Sequence, residues 1–310
     1  MTAFALPGPQ EHAAWLRNRR RQLQKLLGSP EELEPLQGAV LSRQVEKTRV
    51  VEKVSYEGEA GEKIPAYFQI PQNRNLPLPA VIYLHPQPAD RAIGSRVALG
   101  EFKKLDGGVG AELVRRGYIV FSPEITGYGE RGDSEVELES GRLLLQGWSL
   151  AAKTLWEICR AVDYLQTRPE VEAGRIGLLG LGGGGLLAWL AAAVDHRLSP
   201  VAVAWGASTY AELLNHKINL GPLAWVPGLL NWGDAPEVCR LIAPRPLFFC
   251  AGEKDPRFPY AGYQEVYWRV SQLYMRLGLE DKLEQYVTPG PPSPDKEFLA
   301  RIGHWFDRWL

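Results

Sequence analysis

Six short, mostly apolar runs, at 80–84 (AVIYL), 118–121 (YIVF), 176–180 (IGLLG), 201–205 (VAVAW), 246–250 (PLFFC) and 283–287 (LEQYV), are separated by helical stretches or long crossovers. A strand apolar at consecutive positions buries both of its faces. Such strands alternating with helices build a parallel sheet covered on both sides, so the pattern predicts an α/β architecture. Ahead of the series, 50–56 and 64–70 suit two antiparallel strands joined by the turn-rich EGEAGEK. Further upstream, Trp15, Leu16, Leu23, Leu26 and Leu27 fall at helical spacing, with Arg17, Arg19, Arg20 and Arg21 mostly on the opposite, solvated side. We expect residues 1–40 to form an N-terminal helical extension and residues 41–310 a single domain, because no linker interrupts the strand series.

Bulk properties exclude several partners. A chain of 310 residues with 45% hydrophobic content can bury a large core. Its formal charge of -1 gives no electrostatic footprint for nucleic acid, and no run reaches the roughly 18 apolar residues of a membrane span. The N-terminus runs to Glu11 and the arginine cluster without an apolar core, unlike a secretory signal. Cys159, Cys239 and Cys250 are too widely spaced for a metal or disulfide pattern, which points to a reducing cytoplasm.

The stretch RIGLLGLGGGGLLAWLAAAV, from Arg175 to Val194, passes from strand-like to helix-like sequence through five glycines in six positions. Gly180, Gly182 and Gly185 spell G-x-G-x-x-G, a dinucleotide fingerprint. That reading requires an acidic residue about 20 positions on, to hold the ribose hydroxyls. Residues 196–211 contain none, and the turn follows several strands instead of opening the domain. No nicotinamide or flavin is therefore expected. Gly180 and Gly184 are also the outer glycines of G-x-S-x-G, the strained strand-to-helix turn that presents a nucleophilic serine, and here Gly182 stands in the serine's place.

The surroundings support the second reading. His85 follows a buried strand, and Asp255 lies on the loop after a late one. The strings at Pro123–Arg131, Val226–Leu230, Asp234–Val238 and Leu241–Pro259 complete a pattern that, over residues 45–310, resembles the dienelactone hydrolase and acetyl xylan esterase-like branch of the α/β-hydrolase family. The resemblance implies the α/β-hydrolase fold, with a mostly parallel central sheet and helices on both faces. It also implies a Ser-Asp-His triad, in which Asp255 matches the acid, Gly182 the nucleophile, and Pro292 or Pro291 the histidine. Two of the three catalytic members are thus absent. In the oxyanion loop the family's His-Gly has become His85-Pro86, with Pro88 following. Proline has no N–H to donate, which leaves the amides of Gln87 and Gly183 as the available donors.

Other candidates have simpler explanations. Among the five histidines, His12 and His304 fall in helices, His196 follows the glycine-turn helix, His216 lies after the VAVAW strand, and His85 suits backbone bonding in its loop. Cys250 reads as a buried, inert thiol, while Ser208 and Ser293 have no identifiable base. Glu124, Glu130 and Asp133 follow the YIVF strand and could support acid–base work, but Glu130 with Arg131 suits a structural ion pair. Trp205, Trp225 and Trp232 fit either stacking on a ligand or packing of the excursion after residue 205. No metal site is expected. The sequence therefore predicts a protein of carboxylic-ester hydrolase ancestry that has lost the serine mechanism and binds a small ligand or a protein partner through the old cleft. The alternative is a hydrolase that uses another residue set.

Overall fold

The computed structural model describes residues 6–28, 36–72, 74–87, 90–132 and 135–310, so Pro88 and Asp133 lie outside the described residues. One nine-stranded sheet runs in the order β1-β2-β3-β5-β4-β6-β7-β8-β9. Its strands are β1 Gly38–Val45, β2 Arg49–Glu57, β3 Lys63–Pro71, β4 Leu78–Leu84, β5 Ile119–Pro123, β6 Val171–Leu181, β7 Leu198–Ala204, β8 Leu247–Gly252 and β9 Leu283–Thr288. β1, β2 and β3 pair antiparallel, as do β3 and β5, and from β5 through β9 every pairing is parallel. Each apolar run of the sequence lies in or at the edge of one of these strands. β4 and β6 stand side by side at the centre, where Leu84 pairs with Gly180, so the loop after β4 and the glycine turn after β6 emerge together.

β1 has no counterpart among the apolar runs and crosses the boundary drawn at residue 40. All eight of its residues are exposed, and its register with β2 slips between Val40 and Ser42. A strand that buries neither face leaves no alternation to read.

The N-terminal helix, His12–Leu27, buries Leu23 and Leu27. Arg17 and Arg21 are exposed as expected, but Arg20 turns inward. Its guanidinium donates to the carbonyls of Ala193 (2.9 Å) and Leu241 (3.1 Å), and Gln24 reaches Val194 O. These carbonyls belong to the end of the helix Gly183–Val194 and the turn beside it, whose orphan acceptors the extension supplies with donors. At the same end Arg245 bonds the carbonyls of Ala192, Asp195 and Leu198.

Glu130 and Arg131 do not pair with each other, because the short turn Gly129–Arg131 sends neighbours to different sides. Glu130 meets Lys53 at 2.7 Å near the surface, and buried Arg131 clasps Glu157 with two bonds of 2.8 Å and Glu62 at 2.6 Å. Burial opposes the charge on Glu157, but Arg131 and Lys153 outweigh it and hold its carboxyl at about 2.

Candidate functional site

β6 ends at Leu181, and Gly182 turns the chain into the helix Gly183–Val194 with φ 56° and ψ −121°. This positive-φ conformation is one that residues with a Cβ seldom adopt. The glycines around it are held by close backbone packing. A Cβ on Gly180 would lie 2.2 Å from Gly184 O, and one on Gly184 would lie 2.3 Å from Leu84 O. One on Gly206 would lie 2.5 Å from Gly182 O. Gly182 differs, since a Cβ there would meet only Pro86 Cβ at 3.8 Å. The turn therefore has room for a side chain at the one position where the family presents its nucleophile.

That space opens into a cavity of about 190 Å³ lined by Gly182, Asp255, Pro292, Trp205, Pro86 and Arg257 among others. The fold thus brings together the three triad positions read from the sequence, and Pro292, not Pro291, faces the cavity. Asp255 Oδ1 accepts the backbone N–H groups of Arg257 (2.8 Å) and Phe258 (3.0 Å), which fixes the carboxylate on its loop after β8. Burial raises its pKa, and those two amides offset part of the rise. Trp205 lines the same cavity from the end of β7, with φ 54° and its ring 4.6 Å from that of Phe298.

Gln87 lies across the turn. Its side chain occupies the space beside Gly183, and its Oε1 accepts from the Arg257 guanidinium at 3.2 Å. This bridge joins the loop after β4 to the loop carrying Asp255. On the far side Leu186, Leu220, Leu223 and Ala224 close in, and only about 10 Å³ remains. The cleft is open above Gly182 and shut above Gly183.

His85 and Glu124 were expected at the pocket, but they line neither space. His85 is fully buried, with Nδ1 donating to Pro86 O at 2.8 Å and Nε2 3.3 Å from Glu124 Oε1. Glu124 also accepts from the Ser95 amide (2.9 Å) and hydroxyl (2.8 Å). Burial works against the charge on Glu124, yet the bonds from His85 and Ser95 outweigh it and lower the pKa. The pair ties the loops after β4 and β5 together underneath the cleft. Trp225 lines a different cavity, and Trp232 sits against the N-terminal helix, its indole donating to Gln22 at 3.4 Å. An irregular excursion carries no periodicity from which side-chain direction can be read. Sequence reasoning missed Arg257 and Lys104, the other ionisable lining groups. Arg257 stood two residues past Asp255 in DPRFP, whereas nothing in the sequence marked Lys104.

Cys250 and Ser208 do not line the cavity, nor does Ser293, although its neighbours Pro292 and Pro294 do. Burial raises the Cys250 thiol well above its ordinary range, and Ser208 donates to Pro259 O inside the protein. Among the described residues no group of three or more His, Cys, Asp or Glu could hold a metal ion, and no helix is long and apolar enough to cross a membrane. Among the described residues no serine, threonine, cysteine or histidine lines the space above Gly182.

Sheet order, elbow turn and acid loop are those of an α/β-hydrolase, and the dienelactone hydrolase family profile matches residues 64–267. The chain belongs to that family. Among curated relatives it is 31% identical over 269 residues to "Putative hydrolase YtaP" of Bacillus subtilis (strain 168), covering 85% of this chain and 89% of the relative. Among solved structures, a glucuronoyl esterase from Solibacter usitatus superposes with a TM-score of 0.73 at 16% identity, covering 99% of this chain and 98% of its own. An acetyl xylan esterase from Paenibacillus sp. R4 superposes with a TM-score of 0.68 at 15% identity, covering 99% and 97%.

Proposed function

We propose that this protein is a member of an ester-hydrolase family that has given up acyl transfer and binds a small molecule in the cavity above Gly182. Acyl transfer on this scaffold needs an oxygen nucleophile, a base within hydrogen-bond reach and a group that orients the base. Only the orienting group, Asp255, is present. A site stripped of triad members retains at most about 10³ to 10⁴-fold over water from its donors and binding. The observation that carries the reading is Gly182 itself, in elbow geometry with open space where a hydroxyl would project, facing Asp255 across a cavity that ends at Pro292. With Arg257 and Lys104 on its walls, the cavity suits a small carboxylic acid, the kind of product that ester hydrolysis releases.

The test uses a fluorophosphonate probe and short p-nitrophenyl esters. The wild-type protein should take no covalent label and turn over no ester above background. Gly182→Ser with Pro292→His should acquire weak esterase activity, and adding Asp255→Asn should abolish it. Stoichiometric labelling of one wild-type residue would overturn the reading and identify the nucleophile of an active hydrolase.

A further inference from the structure

A second cavity, apolar and roomier than the vestigial one, lies at the carboxyl side of the sheet. Between the helices Val136–Leu145 and Tyr210–Asn215 and the excursion 219–230 lies a space of about 460 Å³, within the size range of small-molecule sites. Leu144, Leu214, Trp225, Val226, Leu229 and Leu230 supply most of its wall. The polar groups of the wall are largely engaged. The Tyr210 hydroxyl donates to Ala224 O at 2.7 Å, and Ser149 Oγ accepts from Ala152 N as a helix cap. An apolar hollow of this kind offers water few partners and favours an apolar occupant. Its mouth is apolar as well, since Leu144 and Leu214, which line it, are more than half exposed.

Charge narrows the occupant. Among the described residues, Glu137 is the single carboxylate of the lining and no lysine, arginine or histidine lines the space, while Arg142 on the same helix pairs with Glu139. We infer that this cavity is a second binding site, independent of the elbow, for an apolar molecule bearing a cationic end, with the hydrocarbon against Trp225 and the leucines and the ammonium at Glu137. The excursion separates the two sites. Leu220, Leu223 and Ala224 fill the space beside Gly183, while Gly221, Pro222 and Trp225 face the apolar cavity.

The full-length protein is titrated with N-phenyl-1-naphthylamine, a neutral apolar dye, and the bound dye is then displaced with octylammonium or octanoate. Saturable 1:1 dye binding is expected, with octylammonium the better competitor by about threefold, the strength of one exposed ion pair. Glu137→Gln should remove that preference and leave dye binding unchanged. Leu230→Trp and Ser140→Phe, which fill the cavity from opposite walls, should each abolish dye binding. Leu145→Glu, on an exposed leucine outside the lining, should not. Absence of saturable binding, dye binding that survives both filling variants, its loss in Leu145→Glu, or equal competition by octanoate would each overturn the inference. The result is indifferent to Gly182, so it stands or falls apart from the loss of esterase activity.

Discussion

The elbow turn and the loop that should carry the histidine face each other across one cavity, and their constraints are opposite. At the elbow Gly180, Gly184 and Gly185 are pinned by backbone oxygens within 2.2 to 3.0 Å of where a Cβ would sit, Gly183 is covered by the Gln87 side chain, and the helix that follows is buried along its whole length. Residues 289–295 are exposed or half-exposed, without regular structure until the last helix begins. The elbow is a packing solution that holds β4, β6 and β7 together whether or not a nucleophile stands on it. The histidine loop is tied down at points on either side of Pro292, where Gly290 O accepts from Lys254 N and Pro294 O comes within 2.3 Å of where a Cβ on Gly107 would sit. The buried elbow therefore keeps its backbone path whichever residue stands at 182, whereas the half-exposed loop around Pro292 has more freedom to change.

This contrast can be broken most severely at Gly184. Gly184→Ala drives a methyl into Leu84 O and His85 O, both backbone atoms that cannot swing aside, and should cost about 3 kcal/mol or more by urea denaturation. A stable Gly184→Ala protein would mean that the turn is not pinned. Gly182→Ser should cost less, about 1–3 kcal/mol, because space is available and only the positive φ is unfavourable. A neutral effect would show that the strain has relaxed.

The smallest effect should come from Asp255. Burial raises its folded pKa above the unfolded value, so the stability it contributes is fully present below the unfolded pKa and is lost as pH rises through the raised folded pKa. Asp255→Asn should remove that loss and leave the protein slightly more stable at neutral pH, by under about 1 kcal/mol since the group is partly solvated. Denaturation curves of both proteins from pH 3 to 7 would check this, and a less stable Asp255→Asn at pH 7 would contradict it.

How much of this could be read in advance follows from what each feature depends on. The parallel strands were legible because burial on both faces forces continuous apolar runs, and Gly182 was legible because G-x-S-x-G fixes spacing within one turn. β1, exposed on both faces, had no such signature. The Gln87–Arg257 bridge joins residues 170 positions apart, and a contact of that kind exists only once two loops have been placed. Trp225 and Trp232 show the same limit, since composition said that aromatics were present and only the excursion's path decided which way they turned. Arg20 looked like one of four solvated arginines until the neighbouring helix end supplied it with carbonyls.

Those carbonyls give the extension a role in how the molecule opens. A helix frays from the end whose acceptors lack partners, and the helix that begins at the elbow has Arg20, Gln24 and Arg245 closing its far end. Two of these three come from the N-terminal segment. Local opening of that segment removes two of the three donors from the end of the elbow helix, so amide exchange in the two helices is expected to be coupled. The helix around Arg20 therefore completes one encoded more than 150 residues later, and the elbow helix has its full set of end partners only when both ends of that sequence interval are in place.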